Sequence, residues 1–323
     1  DLEMFNLNDT KKMTEAALMS ALFVVGTIFF VSTGLGYTFY LDFIVPIFFV
    51  VICLKCDFKY SVLSGVTSLV IVGLVLGNIG TAIWASQSVI LGIICGVLLQ
   101  NNTTIMDDLV YGSILSVLLM VFIDIYASKL IGYSFMQEFK GYIKLVNNKE
   151  VANTIYYLLI AMFPFGMMFS VYYLGLIFSN KLKILKSNAK RKYNIIRNFR
   201  TYSRFISCSK KVFYGCSLYL LIYEIFRFTN IEINNTYLIT IFTCVSYLCA
   251  YFIIRDGYTV IQNYILSKYQ KVSYARYMSL VTILILVLAL KIAILFIILF
   301  NIVLDKRIDI RVRQNYILDN LMN

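Results

Sequence analysis

The sequence offers few side chains that could do chemistry, and most of these lie in or beside long apolar runs. It has no histidine, which removes the commonest general base, proton relay and haem ligand. No Walker A, HExxH or GxSxG signature is present, so nothing indicates an ATPase or a hydrolase. The one motif-like cysteine pair, "CLKC" at 53–56, has no second pair or histidine to complete a zinc site. We therefore predict no enzyme activity, metal or cofactor.

Charged side chains inside the apolar runs are functional candidates, because an ionised group is costly in hydrocarbon. Asp124 lies deep in "LLMVFIDIYASKL". It either contacts a ligand or ion, or is hydrogen-bonded to a Ser, Thr or Tyr of a neighbouring helix. Glu224 and Arg227 in "LIYEIFRFTN" stand three residues apart on one helical face, which favours a structural ion pair. The adjacent Arg255 and Asp256 must point to different faces at the end of a later run.

A cluster of uncharged polar residues lies in "LGNIGTAIWASQS", residues 76–88, between two apolar runs. It contains Trp84, the single tryptophan of the chain. A tryptophan here suits either the interfacial belt of a membrane protein or the wall of an outward-facing pocket. The ligand-binding candidates are Asn78, Trp84, Gln87 and Asp124.

Membrane helices must position these residues. The chain is 60% apolar and 14% charged, whereas globular proteins are roughly a quarter charged. About 20 residues cross the roughly 30 Å of bilayer hydrocarbon, and only two prolines interrupt the runs. Similar runs follow the first one, so we expect no removable signal peptide. We predict an all-α, polytopic transmembrane bundle with spans near 13–33, 40–54, 60–78, 81–100, 109–131, 151–179, 212–229, 237–254 and 277–304.

Lysine and arginine in the short loops predict the orientation of the spans. The segment 180–211 holds eleven Lys or Arg and no acid, so it should be cytoplasmic. This places the N-terminus, and the lysines at 55 and 59, on the same side. Nine spans would leave the basic tail at 306–313 outside, whereas a re-entrant turn around Lys291 would give eight. Both counts stay open, and the length of 277–304 favours nine.

The basic segment 180–211 also has a possible binding role. Aromatic and aliphatic residues alternate with its cations, which is typical of an amphipathic helix lying on anionic lipid headgroups. Docking of a cytoplasmic partner is the main alternative. Binding of nucleic acid is disfavoured, because no recognisable nucleic-acid module accompanies the segment.

Small residues mark two helix faces as packing or partner interfaces. Ala17, Ser20 and Ala21 thin one side of the first span, and Gly92 and Gly96 repeat the four-residue spacing in the fourth. In lipid, such faces allow close backbone approach of another helix.

Several stretches together carry a family resemblance. They are "TEAALMSALFVV", the proline-containing "DFIVPIFFVVIC", "KYSVLSGVTSLVIVG" and "GIICGVLLQNN". Residues 11–179 resemble the S-component, the substrate-binding membrane subunit, of energy-coupling-factor transporters. With the later spans and the ending "FNIVLDKRIDIRVR", nearly the whole chain resembles the bacterial YybS-like (DUF2232-type) family, which is grouped with S-components.

The resemblance implies a six-helix, S-component-like domain over 1–179, followed by the basic loop 180–211 and C-terminal helices over 212–323. It implies an outward-facing solute pocket and contact of Ala17 and Ala21 with a transmembrane coupling subunit driven by two ATPases. It also implies a multi-pass protein of the bacterial cytoplasmic membrane. A small organic solute is expected rather than nickel or cobalt, because histidines are absent. The alternative function is a membrane scaffold that recruits a cytoplasmic partner through 180–211.

Overall fold

The computed structural model describes residues 7–34, 36–144, 146–229 and 235–322. Every regular element in these ranges is helical, which confirms the all-α class. The helices are α1 (Leu7–Thr33), α2 (Tyr37–Phe39), α3 (Val45–Leu76), α4 (Ile79–Gln100), α5 (Ile105–Leu130), α6 (Phe135–Ile143), α7 (Lys149–Lys181), α8 (Ser187–Arg197), α9 (Phe199–Tyr202), α10 (Lys210–Phe228), α11 (Thr236–Tyr269), α12 (Val272–Leu288), α13 (Leu290–Ile308) and α14 (Ile310–Met322). A π-helical turn, Tyr40–Ile44, joins α2 to α3.

Six segments among the described residues are long and apolar enough to cross a membrane, which identifies a multi-pass membrane protein. They are Asp9–Thr33, Tyr37–Leu76, Ile79–Gln100, Ile105–Leu130, Lys149–Lys181 and Thr236–Tyr269. The last of these runs well beyond residue 254, where the sequence analysis ended the span. All seven cysteines are buried and remain thiols.

The chain forms two compact units. Unit 1 comprises Asp1–Asn102 and Gly112–Tyr193, and unit 2 comprises Thr103–Tyr111 and Asn194–Asn323. Of the three boundaries, those after Tyr111 and Tyr193 fall inside helices α5 and α8, and the one after Asn102 lies between α4 and α5.

In unit 1, α3 folds back on itself at Asp57. This residue has φ 69° and ψ 167°, a backbone conformation that residues other than glycine rarely adopt. A Cβ on Gly65 would lie 3.5 Å from the ring of Phe49, so positions equally far before and after Asp57 meet. The two arms of α3 thus correspond to the predicted spans 40–54 and 60–78, joined at the predicted lysine-rich turn.

The apolar core of unit 1 is built around the first arm of α3. Phe49 is fully buried there, and its ring meets that of Phe23 from α1 edge-on at 5.3 Å. Val89 of α4 packs into the same cluster. Because lipid is as apolar as these side chains, their close packing rather than exclusion from water holds the helices together.

In unit 2, the predicted single span over 277–304 is wrong. The run breaks at Ala289 (φ −151°, ψ 70°), between α12 and α13. The Ser279 hydroxyl of α12 hydrogen-bonds Tyr258 of α11, and the Asn301 amide of α13 donates to the adjacent Gly257 carbonyl at 3.2 Å. The two helices therefore form a hairpin along α11, as in the re-entrant alternative.

A charge at the apex accounts for the hairpin. Lys291 lies beside the break, and its Nζ is 2.7 Å from the Glu224 carboxylate of α10. In the middle of one continuous crossing, this ammonium would face hydrocarbon. At the other end, Lys210 bonds Asp309, so the basic tail returns to the start of α10, consistent with the charge rule for cytoplasmic segments.

Candidate functional site

An open cleft of about 540 Å³ lies at one end of unit 1. It is formed by the end of α1, the region of α2, the start of α4 and Ile131 after α5. The polar and aromatic groups that line it are Tyr37, Thr38, Asn78, Thr81 and Trp84. Of the four ligand-binding candidates from the sequence, Asn78 and Trp84 are therefore at the cleft. Gln87 is half-buried on α4 and does not line it.

Asn78 owes its position to capping of α4. Gly77, with φ 60°, ends α3, and the Asn78 Oδ1 accepts the N–H of Gly80 at 2.9 Å. The Thr81 hydroxyl donates to the Asn78 carbonyl at 3.1 Å. Because the cap occupies Oδ1, the Nδ2 of Asn78 is the side-chain group that can donate to a bound molecule.

Tyr37 is a cleft residue that the sequence analysis did not single out. Its hydroxyl is buried and has no hydrogen-bond partner among the described residues. The nearby Tyr40 differs, because its hydroxyl lies 3.0 Å from that of Thr27. A buried hydroxyl without a partner costs about 1–3 kcal/mol, which makes Tyr37 a candidate ligand-binding residue. No residue type or spacing marks Tyr37 among the 25 tyrosines of the chain.

Aromatic packing fixes the Trp84 side of the cleft. The Trp84 ring lies 4.7 Å from Phe135 and 5.7 Å from Tyr133, both edge-on. Tyr133 and Tyr142 donate to the carboxylate of Glu138 on α6. These hydrogen bonds lower the pKa of Glu138, and burial together with this carboxylate raises the pKa of Tyr133 to about 12. The neighbouring groups thus keep fixed charge states at neutral pH.

Asp124 serves the structure and does not line the cleft. Its Oδ2 accepts from the Ser134 hydroxyl at 2.8 Å, and its Oδ1 accepts from the Phe135 N–H at 2.7 Å. The carboxylate thereby anchors the start of α6, at its positive dipole end. Of the two interpretations of Asp124, the structure therefore agrees with the hydrogen-bonded one.

The thin face of α1 lies on an open groove of about 490 Å³ beside the second arm of α3. Ala17 and Ala21 are exposed along it. Ser20 lines the same groove but is buried, with its Oγ 2.6 Å from the Ser68 Oγ of α3. The three residues thus lie on one groove, and Ser20 also joins α1 to α3.

Gly92 and Gly96 are packed inside unit 1. A Cβ on Gly92 would overlap the Pro46 carbonyl and lie 2.8 Å from the Phe49 Cβ. One on Gly96 would lie 2.5 Å from the Cys53 Cβ. The partner of this glycine face is therefore the first arm of α3.

Charged groups are paired at the opposite end of unit 1. Asp57, at the turn of α3, accepts from Lys12 and Lys186, each at 2.6 Å. Lys192 of α8 is 3% exposed and donates to the carbonyls of Leu98 and Asn101 at 2.7 and 2.8 Å. Part of the basic segment therefore packs against the end of α4. The sequence analysis missed Asp57, because nothing in the pattern marks its backbone conformation.

The ion pair proposed in α10 has a different partner. Glu224 pairs with Lys291 of α13 rather than with Arg227, which is exposed. The partner of Glu224 is therefore a distant lysine at the hairpin apex and not the arginine three residues along the same helix.

These features define a polytopic helical membrane protein with a ligand-sized cleft at one end of its first unit. Residues 17–157 match the family described as "Predicted membrane protein (DUF2232)", which supports the resemblance to the DUF2232-type family over this region. No curated protein and no solved structure matches the chain.

Proposed function

We propose that the chain is a small-solute-binding subunit of a membrane transporter, resembling the S-component of energy-coupling-factor systems. The observation that carries the proposal is the cleft lined by Tyr37, Asn78 and Trp84. Its volume of about 540 Å³ falls in the range of roughly 300–1,000 Å³ typical of small-molecule sites.

The chemistry of the cleft favours a small, uncharged organic solute. Among the described residues that line it, Tyr37 is the one ionisable group. Trp84 supplies a stacking surface, while the Tyr37 hydroxyl and the Asn78 amide supply hydrogen bonds. No histidine is present to bind nickel or cobalt.

The two ends of unit 1 differ as a transport subunit requires. The cleft lies at the end of α1 and the start of α4. The Asp57 ion pairs and the hydrogen bonds of Lys192 lie at the opposite ends of these helices. Since lysine-rich segments stay in the cytoplasm, this orientation would have the cleft face outward and the ion-paired end face inward.

Binding of a solute should be detectable by native mass spectrometry and by tryptophan fluorescence. We expect native mass spectrometry of the gently solubilised full chain to show a retained small molecule. Titrating that compound should change the fluorescence of Trp84, the single tryptophan. Tyr37→Phe should weaken its binding about fivefold to tenfold, because one hydrogen bond of about 1 kcal/mol is lost.

Tyr173→Phe is the matched control, since Tyr173 lies on α7, is 41% exposed and does not line the cleft. Its affinity should equal that of the wild type. Absence of any retained molecule and of any fluorescence response would count against the carrier proposal.

Coupling predicts a second result, at the groove beside Ala17 and Ala21. On co-expression with a coupling subunit and its ATPase pair, the wild type should co-purify with both. Ala17→Leu with Ala21→Leu should abolish this, because two bulky side chains would block close helix approach. Phe29→Leu, on an exposed part of α1 outside the groove, should leave it intact. Undiminished co-purification of the double variant would refute this use of the groove.

The alternative proposal is a membrane scaffold that recruits a cytoplasmic partner through 180–211. Its supporting observation is that this basic segment forms α8 and α9, with Arg197 and Arg200 exposed. Capture of a partner that depends on these arginines, with no solute in the cleft, would favour the scaffold.

A further inference from the structure

A buried charge cluster in unit 2 plays no part in the proposed function. Arg311 of α14 is 1% exposed, and its guanidinium donates to Asp256 of α11 at 3.0 Å and to Asp305 of α13. It also donates to the Asn301 Oδ1 at 3.0 Å and lies 4.0 Å from the ring centroid of Phe213. Both carboxylates are at most 1% exposed, so one buried positive charge faces two buried negative charges.

The surrounding charges leave this imbalance in place. Arg255, next to Asp256, donates to the Ile206 carbonyl at 3.0 Å. Asp107 accepts the N–H of Ser209 at 2.8 Å. One is positive and the other negative, so the cluster keeps an excess of one negative charge. Inside a protein such an excess is costly unless a cation or a proton compensates it.

Several polar atoms of the cluster and of Gln314, three residues after Arg311, are buried without a hydrogen-bond partner among the described residues. They are the Oδ1 of Asp305, the Nε of Arg311 and both polar atoms of the Gln314 amide. Gln314 is 3% exposed and follows Arg311 by about one turn on the buried face of α14. Buried polar atoms are normally bonded, so this concentration indicates a bound species with positive charge and with groups that can accept hydrogen bonds.

We propose that the cluster binds one hydrated monovalent cation of the size of Na⁺, between the Oδ1 of Asp305 and the amide oxygen of Gln314. Carboxylate and amide oxygens are hard ligands suited to such ions. The ion cancels the excess charge, and its hydration water accepts from the Arg311 Nε and the Gln314 Nε2. The described residues hold no group of three or more His, Cys, Asp or Glu side chains suited to a metal ion, which argues against a divalent or transition metal.

Thermal unfolding of the purified full chain tests this site without reference to the solute cleft. At fixed pH and ionic strength, replacing choline chloride by NaCl should raise the unfolding midpoint by on the order of 5 °C, with saturation, because the ion binds only the folded state. An equal midpoint in the two salts would overturn the proposal. So would an equal rise on acidification in choline, since a proton would then be the compensating charge.

Two variants locate the ion. Asp305→Asn should abolish the response to Na⁺, because the remaining Arg311–Asp256 pair is neutral. Gln314→Met keeps a similar volume but removes the amide oxygen. It should raise the Na⁺ concentration needed for half of the response at least tenfold. Glu224→Gln removes an acid that is not part of the cluster and should keep the full response. A full response in Gln314→Met would overturn the site even if Asp305→Asn did not fold.

Discussion

Replacing Gly92 by alanine should destabilise the protein by about 3 kcal/mol or more, at the upper end of overpacking effects. The added methyl group would overlap the carbonyl oxygen of Pro46 and lie 2.8 Å from the Phe49 Cβ. Both neighbours belong to the first arm of α3, and a backbone carbonyl cannot rotate away as the tip of a side chain can. Relief requires separating α4 from α3, which would disrupt the centre of unit 1.

Gly166→Ala is the matched control, because Gly166 lies in α7 of the same unit and a Cβ there would meet nothing within 4 Å. It should be neutral or stabilise the helix by up to about 1 kcal/mol. Unfolding of both variants in mixed micelles with increasing denaturing detergent measures the difference. Equal stabilities would show that α4 does not approach α3 this closely.

Replacing Arg311 by methionine should destabilise the protein by about 3–5 kcal/mol, as is typical when one partner of a buried ion pair is removed. Among the described residues, Asp256 would keep the Cys208 N–H at 2.6 Å, and Asp305 the longer contact with the Tyr214 hydroxyl at 3.5 Å. Two buried carboxylates would then have lost the guanidinium that they share. The same unfolding assay measures the loss, together with protease cleavage of a released α14.

Arg313→Met is the control, since Arg313 is exposed two residues further along α14; it should change stability by less than about 0.5 kcal/mol. Adding Asp256→Asn and Asp305→Asn to Arg311→Met should restore much of the stability, because whole buried charge clusters can often be neutralised at little cost. Failure of this rescue, with a large loss in Arg313→Met, would contradict the charge argument.

The sequence predicted the parts of the fold that hydrophobicity and charge control directly. Long apolar runs indicated the membrane helices, and Lys55 and Lys59 located the turn found at Asp57. The polar cluster at residues 76–88 indicated one edge of the cleft, where Asn78 and Trp84 lie. The capping of α4 by Asn78 is a finding of the structure.

The remaining features depend on contacts between distant segments. No glycine or proline marks the break at Ala289, and the Lys291 partner Glu224 lies on another helix. The unpartnered hydroxyl of Tyr37 and the burial of Arg311 likewise arise only when the helices pack. A basic tail reads as solvated charge, so the pattern could not separate Arg311 from the exposed Arg313.

The strained turn at Asp57 has an evolutionary consequence. Glycine would adopt φ 69° at no cost, so what aspartate adds at this position is its carboxylate, which joins Lys12 to Lys186. In related sequences that lack Lys12 or Lys186, the carboxylate at position 57 would lose an ion-pair partner. We expect glycine at position 57 in those sequences. In an alignment of orthologues, the three sites should therefore covary although two of them lie at opposite ends of the first unit's sequence.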